Sequence, residues 1–234
     1  MINLNKKKLF LFFSLILASI WVYYFFNKDL FKIEKLFLNL DLINSFIEEN
    51  FKLSFFIYVL SYFILIICNF PVASLLSLIG GFLFGTWIGG IGIVIGGSLG
   101  AFTIFLITKF FFLDYIKNKV LAKYTSITDY FNRNDLELML LLRLIPGTPF
   151  FIQNLILAGL GANNTKFLFT TIAGLSPWAF IIASIGKALD EIYFSGEVIS
   201  ISLIAKKDFL IPIMTLILII VLIILFKNKV KNKL

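Results

Sequence analysis

The chain has no histidine, one cysteine and 5 prolines in 234 residues. Cys68 alone cannot form a disulfide framework. Without His, the usual zinc and haem ligand sets are out of reach, so no metal or other cofactor is expected. Charge is also scarce, at 15% of residues against about 25% in soluble domains. No Asp or Glu lies inside any long apolar run. Buried carboxylate pairs, a His base and a G-x-S-x-G elbow are all missing, so an enzyme is not expected. A proton relay at membrane depth uses a carboxylate or His, and the apolar runs hold neither.

What is present is apolar surface. Hydrophobic residues make up 60% of the chain, above the roughly 45–50% of soluble proteins, which implies an integral membrane protein. The 29 Phe, 8 Tyr and 3 Trp suit lipid-facing and interfacial positions. A net charge of +8 is compatible with a nucleic-acid surface in principle. The Lys residues, however, sit at the ends of apolar segments, where they set topology, so no nucleic-acid partner is expected.

Six apolar stretches stand out: Leu9–Phe26, Leu53–Phe84, Thr86–Leu113, Leu138–Gly161, Phe167–Ile185 and Phe209–Phe226. A span needs about 20 apolar residues, and the first, third, fifth and sixth fit. The first follows Lys6-Lys7-Lys8. It is long for a signal-peptide core and lacks a clear A-x-A site, so it reads as an uncleaved span. The second stretch is interrupted by Asn69-Phe70-Pro71, and the fourth by Pro146-Gly147-Thr148-Pro149. Proline breaks the hydrogen-bond ladder of a helix. Both stretches therefore read as re-entrant hairpins, two half-helices joined by a kink within the membrane.

Charge counting agrees with this. With four crossings and the N-terminus inside, inside segments hold 13 Lys and Arg and outside segments 7, with Arg143 completing the 21. That is the bias of the positive-inside rule. The expected fold is an all-α integral membrane protein: an inverted repeat of two re-entrant helical hairpins with about four full transmembrane helices. Residues 1–52 hold the first span and an amphipathic segment. Residues 53–186 form the core: hairpin 53–84, helix 86–113, linker 114–136, hairpin 138–161 and helix 167–185. Residues 187–234 hold a loop, the last span and a basic tail. The repeat has a trace in the sequence: Pro71 precedes Gly81, and Pro149 precedes Gly159, each by ten residues. Inverted repeats with interrupted helices mark many transporters, with the binding site near the midplane. Ile116, Val120, Tyr124, Ile127 and Phe131 recur at helical spacing, as do Leu30, Ile33, Phe37, Leu40 and Ile47. Both segments are expected along the membrane surface.

Glycines recur four apart, as Gly81, Gly85, Gly89 and as Gly92, Gly96, Gly100. Small residues at that spacing let membrane helices approach closely. Such seams serve internal packing or a homo-oligomer alike. Arg143 is the only charged residue between Leu138 and Asn163. An intramembrane guanidinium costs roughly 2.5–3.5 kcal/mol on insertion scales unless it faces a polar cavity or a partner. Three readings are open: it binds a phosphate or anionic head group, pairs with Glu137 or Asp114, or caps carbonyls freed by Pro146. Asn69, Gln153 and Asn154 are amides beside the two kinks, and either satisfy backbone groups or line a polar path. Ser176-Pro177-Trp178 reads as a kink with an aromatic packing group.

The run Leu142-Arg143-Leu144-Ile145-Pro146-Gly147-Thr148-Pro149-Phe150, then Asn154 and Ala158-Gly159-Leu160, resembles the DedA / SNARE-associated Golgi protein (VTT-domain) superfamily. Phe167, Thr171, Gly174, Pro177 and Gly186 fit, as do Pro71 and Gly80-Gly81-Phe82-Leu83-Phe84-Gly85 upstream. The likeness is nearest to the branch named for the yeast late-Golgi Tvp vesicle protein. It implies two opposed re-entrant hairpins and work on lipids: movement of phospholipid or polyprenyl phosphate across a bilayer, and membrane homeostasis. Some DedA members carry acids in the first hairpin and a second Arg after the proline motif. This chain has no such acid, and Pro149 holds the second position, so proton coupling by that pattern is not expected. The expectation is a multi-pass cell-membrane protein with both termini cytoplasmic. Its lipid site would draw on Arg143, Pro146, Gly147, Pro149, Gln153, Asn154, Gly159, Asn69 and Pro71. An ion-coupled transporter of a small solute and a non-transporting assembly scaffold are the rival readings.

Overall fold

The computed structural model describes residues 39–70, 73–116, 118, 125–144 and 148–195, with 210, 211, 214, 217, 218 and 221 beyond them. The expected first span Leu9–Phe26 lies outside these residues. So do most of Phe209–Phe226, the basic tail, and Pro71, Pro146 and Gly147. All described elements are helices. Two are long and apolar enough to cross a membrane, and a bent helix pair raises the number to three.

Helix α1, Leu40–Glu49, is amphipathic: Leu40 is buried, while Leu42 and Phe46 face outward. Asp41 in its first turn suits the positive end of the helix dipole. A bend of 114° leads into α2, Phe51–Ile67. That helix is apolar almost all round, as a membrane helix should be. Its buried stripe is Ser54, Tyr58 and Tyr62, spaced one turn apart. It ends where Asn69 adopts φ 52. The Asn69 amide donates to the Ile66 carbonyl and the Phe70 amide to the Leu65 carbonyl, which closes the helix with a Schellman turn.

The chain resumes as α3, Ala73–Phe111, and Gly85 divides it with φ 76 and ψ 175. That region is essentially open to glycine alone. The two parts are α3a (73–84) and α3b (86–111). Side-chain pairings give their directions. Tyr62 meets Ser77, Tyr58 lies against Gly80, and Phe55 packs on Phe84, so α2 and α3a run antiparallel. Gly92 faces Tyr58, Gly96 faces Val59 and Tyr62, and Gly100 faces Ile66, so α3b runs parallel to α2. A Cβ on Gly96 would stand 2.8 Å from the Val59 carbonyl oxygen, which shows how close the two backbones come. The expected single face through Gly81, Gly85 and Gly89 does not exist. The chain turns at Gly85, Gly89 meets the backbone of Gly80, and Gly81 packs on Ala183.

After the short α4, Leu113–Tyr115, and the amphipathic α5, Thr125–Arg133, a second unit follows. It comprises α6, Asp135–Leu144; α7, Phe150–Gly159; and α8, Asn164–Ser195. Arg143 on α6 meets Gln153 and Asn154 on α7, just past the break. Lys166 pairs with Asp135 at 2.7 Å, and Arg143 reaches Thr171 further along, so α6 and α8 run parallel. Gly161, at φ 77, closes α7 with the same turn as Asn69: Gly161 donates to Ala158 and Ala162 to Leu157. The Lys109 ammonium caps this turn by donating to the Ala162 carbonyl at 2.9 Å. Phe105 stacks on Phe167 with ring centroids 4.0 Å apart, Leu175 fills the space beside Gly97, and Phe180 lies against Gly90. Helices α3b and α8 are therefore antiparallel.

Two boundaries differ from the sequence reading. Helix α6 begins at Asp135 rather than Leu138, because the Asp135 carboxylate accepts the Leu136 amide and binds Lys166. The Lys166 hydrogen bond holds that carboxyl below the usual carboxylate range. Helix α8 also continues past Ile185, through residues expected in an outside loop. Gly186 packs on the Leu78 carbonyl, and Lys187 pairs with Asp190 at 2.6 Å. Pro177 removes the amide that would bond the Ala173 carbonyl, but the helix runs through it.

Gly96→Leu should separate α2 from α3b and destabilise the protein by roughly 1–3 kcal/mol, read as a lower melting temperature in detergent. Gly85→Ala meets no neighbouring atom within 4 Å. It should still cost of order 1–3 kcal/mol through backbone strain alone, which the same melt would detect.

Candidate functional site

Arg143 occupies the last turn of α6 and is 5% exposed. Its Nη1 donates to Gln153 Oε1 at 3.2 Å. Its Nη2 donates to Asn154 Oδ1 at 2.7 Å and to Thr171 Oγ1 at 3.0 Å. The guanidinium lies 4.9 Å from the ring centroids of both Phe150 and Phe167, within cation–π range. No carboxylate among the described residues takes part. The expected pairing with Glu137 or Asp114 is not formed. Glu137 instead neighbours Tyr130, whose phenol is pushed up by burial and by this carboxylate.

Two of the three acceptors are oriented by a further bond. Gln153 Nε2 donates to the Thr148 hydroxyl at 2.9 Å, which turns its Oε1 toward Arg143. Thr171 gives its proton to the Phe167 carbonyl at 2.7 Å, leaving its oxygen as an acceptor. Gly174 makes room for the arginine stem, since a Cβ there would collide with Arg143 Cβ. Two donors in this cluster, Arg143 Nε and Asn154 Nδ2, have no hydrogen-bond partner.

The guanidinium borders a cavity of about 460 Å³ lying between the two helix breaks. Residues 62, 66, 73, 74 and 77 line it from the first unit, and 143, 148, 150 and 153 from the second. Gly174, Leu175, Trp178 and Ile182 of α8 also line it. This volume falls within the roughly 300–1,000 Å³ of small-molecule sites. The Tyr62 hydroxyl meets Ser77 Oγ at 3.1 Å, and Ser77 donates to the Ala73 carbonyl at 2.9 Å. Ser77 therefore accepts from Tyr62. An uncompensated cation beside a hydroxyl-bearing cavity is suited to holding a phosphate or carboxylate.

The expected site residues divide into groups. Arg143, Gln153 and Asn154 come together, with Gln153 and Arg143 on the cavity and Asn154 fully buried behind them. Pro149 opens α7, and Gly159 is buried near its end. Neither lines the cavity. Asn69 is exposed and shapes the end of α2, and it is not among the lining residues. Pro71, Pro146 and Gly147 lie outside the described residues. The site reading had left out Tyr62, Ser74, Ser77, Thr148 and Thr171. The available signal was a hydroxyl within an apolar run near a break.

The sequence profile of the VTT domain matches residues 70–188. The "Uncharacterized protein YqeD" of Bacillus subtilis (strain 168) is 32% identical over 140 residues, covering 57% of this chain and 64% of that protein. The chain thus aligns with less than two thirds of that relative's length. No solved structure matches. The matched stretch contains Arg143, the break between α6 and α7 and most of the cavity lining, Tyr62 and Ile66 preceding it, and it ends two residues past Gly186. The chain is a membrane protein of the VTT-domain family, within the DedA / SNARE-associated Golgi superfamily.

Proposed function

We propose that this protein lets the anionic head group of a membrane lipid, a phospholipid or a polyprenyl phosphate, pass between leaflets. The observation that carries the reading is the placement of Arg143 on a cavity bounded by both helix breaks. Arg143 would hold the phosphate, with Gln153 and Thr148 beside it. The acyl or prenyl chains would stay in the bilayer. Exposed Trp87, Ile91, Ile95, Phe169 and Ile172 on the long helices offer the apolar outer surface this requires.

The reading includes an inverted repeat. Each unit has a helix, a break, a returning half-helix and a long helix parallel to the first. The antiparallel packing of α3b on α8 supports opposite insertion of the two units. Interrupted helices meeting around a midplane site are how many transporters build such a passage. We place the protein in the cell membrane with both termini cytoplasmic, on the strength of the Lys and Arg distribution. The nearer kinship to the yeast Tvp branch rests on the Leu142–Phe150 run.

The test is lipid flipping by purified protein in vesicles containing acyl-labelled anionic phospholipid. Arg143→Ala should slow flipping at least about tenfold, and Arg143→Lys should recover only part of it, because an ammonium lacks the planar fork. Thr171→Val should slow flipping about threefold to tenfold by leaving one guanidinium donor unpaired. Melting temperatures of the variants separate these effects from unfolding. Wild-type rates in Arg143→Ala would remove the arginine from the passage.

A further inference from the structure

The cavity has a strong sign preference built by exclusion. No Asp or Glu occurs between Glu49 and Asp114, or between Glu137 and Asp190. Those two intervals supply every described residue that lines the cavity, and they also contain the residues bridging both helix breaks. Among the described residues, Arg143 is the only charged one in the lining. Its three hydrogen-bond partners are neutral. Among the described residues, the cavity therefore carries a positive charge with no fixed negative group to receive a second cation. A phosphate entering it is welcome, but an ammonium on the same head group is not. It would lose its hydration, find no carboxylate and meet a guanidinium of like sign.

The first unit supplies a different chemistry to the lining. The Tyr62 proton goes to Ser77 and the Ser77 proton goes to Ala73. The Tyr62 oxygen thus keeps its lone pairs for an incoming hydroxyl. Tyr62 and Ser77 are both buried, so this geometry is set by packing. Ser74 is exposed on the cavity side, one turn before Ser77.

We infer that the site selects lipids whose phosphate bears an uncharged, hydroxylated terminus over lipids whose phosphate bears an amine. Phosphatidylglycerol has the favoured chemistry; phosphatidylethanolamine and phosphatidylcholine have the disfavoured one. The inference rests on the lipid-passage reading above, and assigns to it a substrate class and a second set of residues. Tyr62, Ser77 and Ser74 set specificity, while Arg143 sets affinity for phosphate.

The experiment uses the full chain in vesicles, with acyl-labelled phosphatidylglycerol, phosphatidylethanolamine and phosphatidylcholine compared one at a time. Phosphatidylglycerol should cross at least about tenfold faster than either amine lipid, the factor produced by one poorly matched polar contact. Tyr62→Phe removes the hydroxyl but keeps the ring, and should cut that preference to about threefold or less. Ser74→Asp adds a carboxylate at an exposed lining position and should raise phosphatidylethanolamine crossing relative to phosphatidylglycerol. Measurable but equal rates for all three lipids would overturn the selectivity and leave the lipid passage standing. Unchanged lipid ratios in both Tyr62→Phe and Ser74→Asp would overturn the assigned residues. Absence of crossing by any lipid would defeat the lipid passage itself, and this inference with it.

Discussion

The organising constraint is one buried guanidinium held by neutral acceptors. Arg143 gives up its hydration in exchange for three hydrogen bonds and two aromatic faces. A charge at such depth is tolerated only where polar groups converge. The convergence draws on three helices: α6 carries the arginine, α7 brings Gln153, Asn154 and Phe150, and α8 brings Phe167, Thr171 and the gap at Gly174. The break between α6 and α7 folds the α7 amides back onto the last turn of α6. A continuous helix would carry Gln153 and Asn154 two to three turns beyond Arg143.

Close backbone packing makes that convergence rigid. In the first unit, Gly92, Gly96 and Gly100 seat the Tyr58, Tyr62 and Ile66 stripe of α2. In the second, Gly174 seats the arginine stem. Between units, Gly81 and Gly186 bring α3a and α8 to backbone contact. Lipid provides no hydrophobic drive for helix association, so small residues and buried hydrogen bonds carry this assembly. Lys109 on α3b caps the Gly161 turn of the second unit, which fastens the end of one unit to the long helix of the other.

Much of this was legible in the sequence, and the reason is local chemistry. Proline marked both breaks, and a lone arginine among apolar residues marked the polar centre. The amides at 153 and 154 followed because they sit just past a break. The misses were of three kinds. Asn69 and Gln153 are both amides beside a kink, yet one shapes a helix end at positive φ and the other faces a cavity. Residue type does not distinguish these uses, because αL geometry and ligand contact both favour short polar side chains. Tyr62, Ser77 and Thr171 were missed because their roles depend on pairings between helices far apart in sequence. The face expected through Gly81, Gly85 and Gly89 failed because a four-residue repeat reads as one helix even when its middle member is the turn.

The neutrality of the arginine's partners bears on how such a site would work. A carboxylate beside Arg143 would satisfy the charge and close the site, since breaking a buried ion pair is costly. Amide and hydroxyl acceptors lower the cost of burial but leave the net charge in place. Both Arg143 Nε and Asn154 Nδ2 remain without partners, so the cluster is short of acceptors. An arriving phosphate supplies oxygens to such a donor-rich centre. It can leave again without separating a permanent ion pair, because the amides and the threonine still hold the guanidinium in position. A passage needs that balance. A cation fully neutralised by the protein would bind nothing, and an unsupported one would not stay in place.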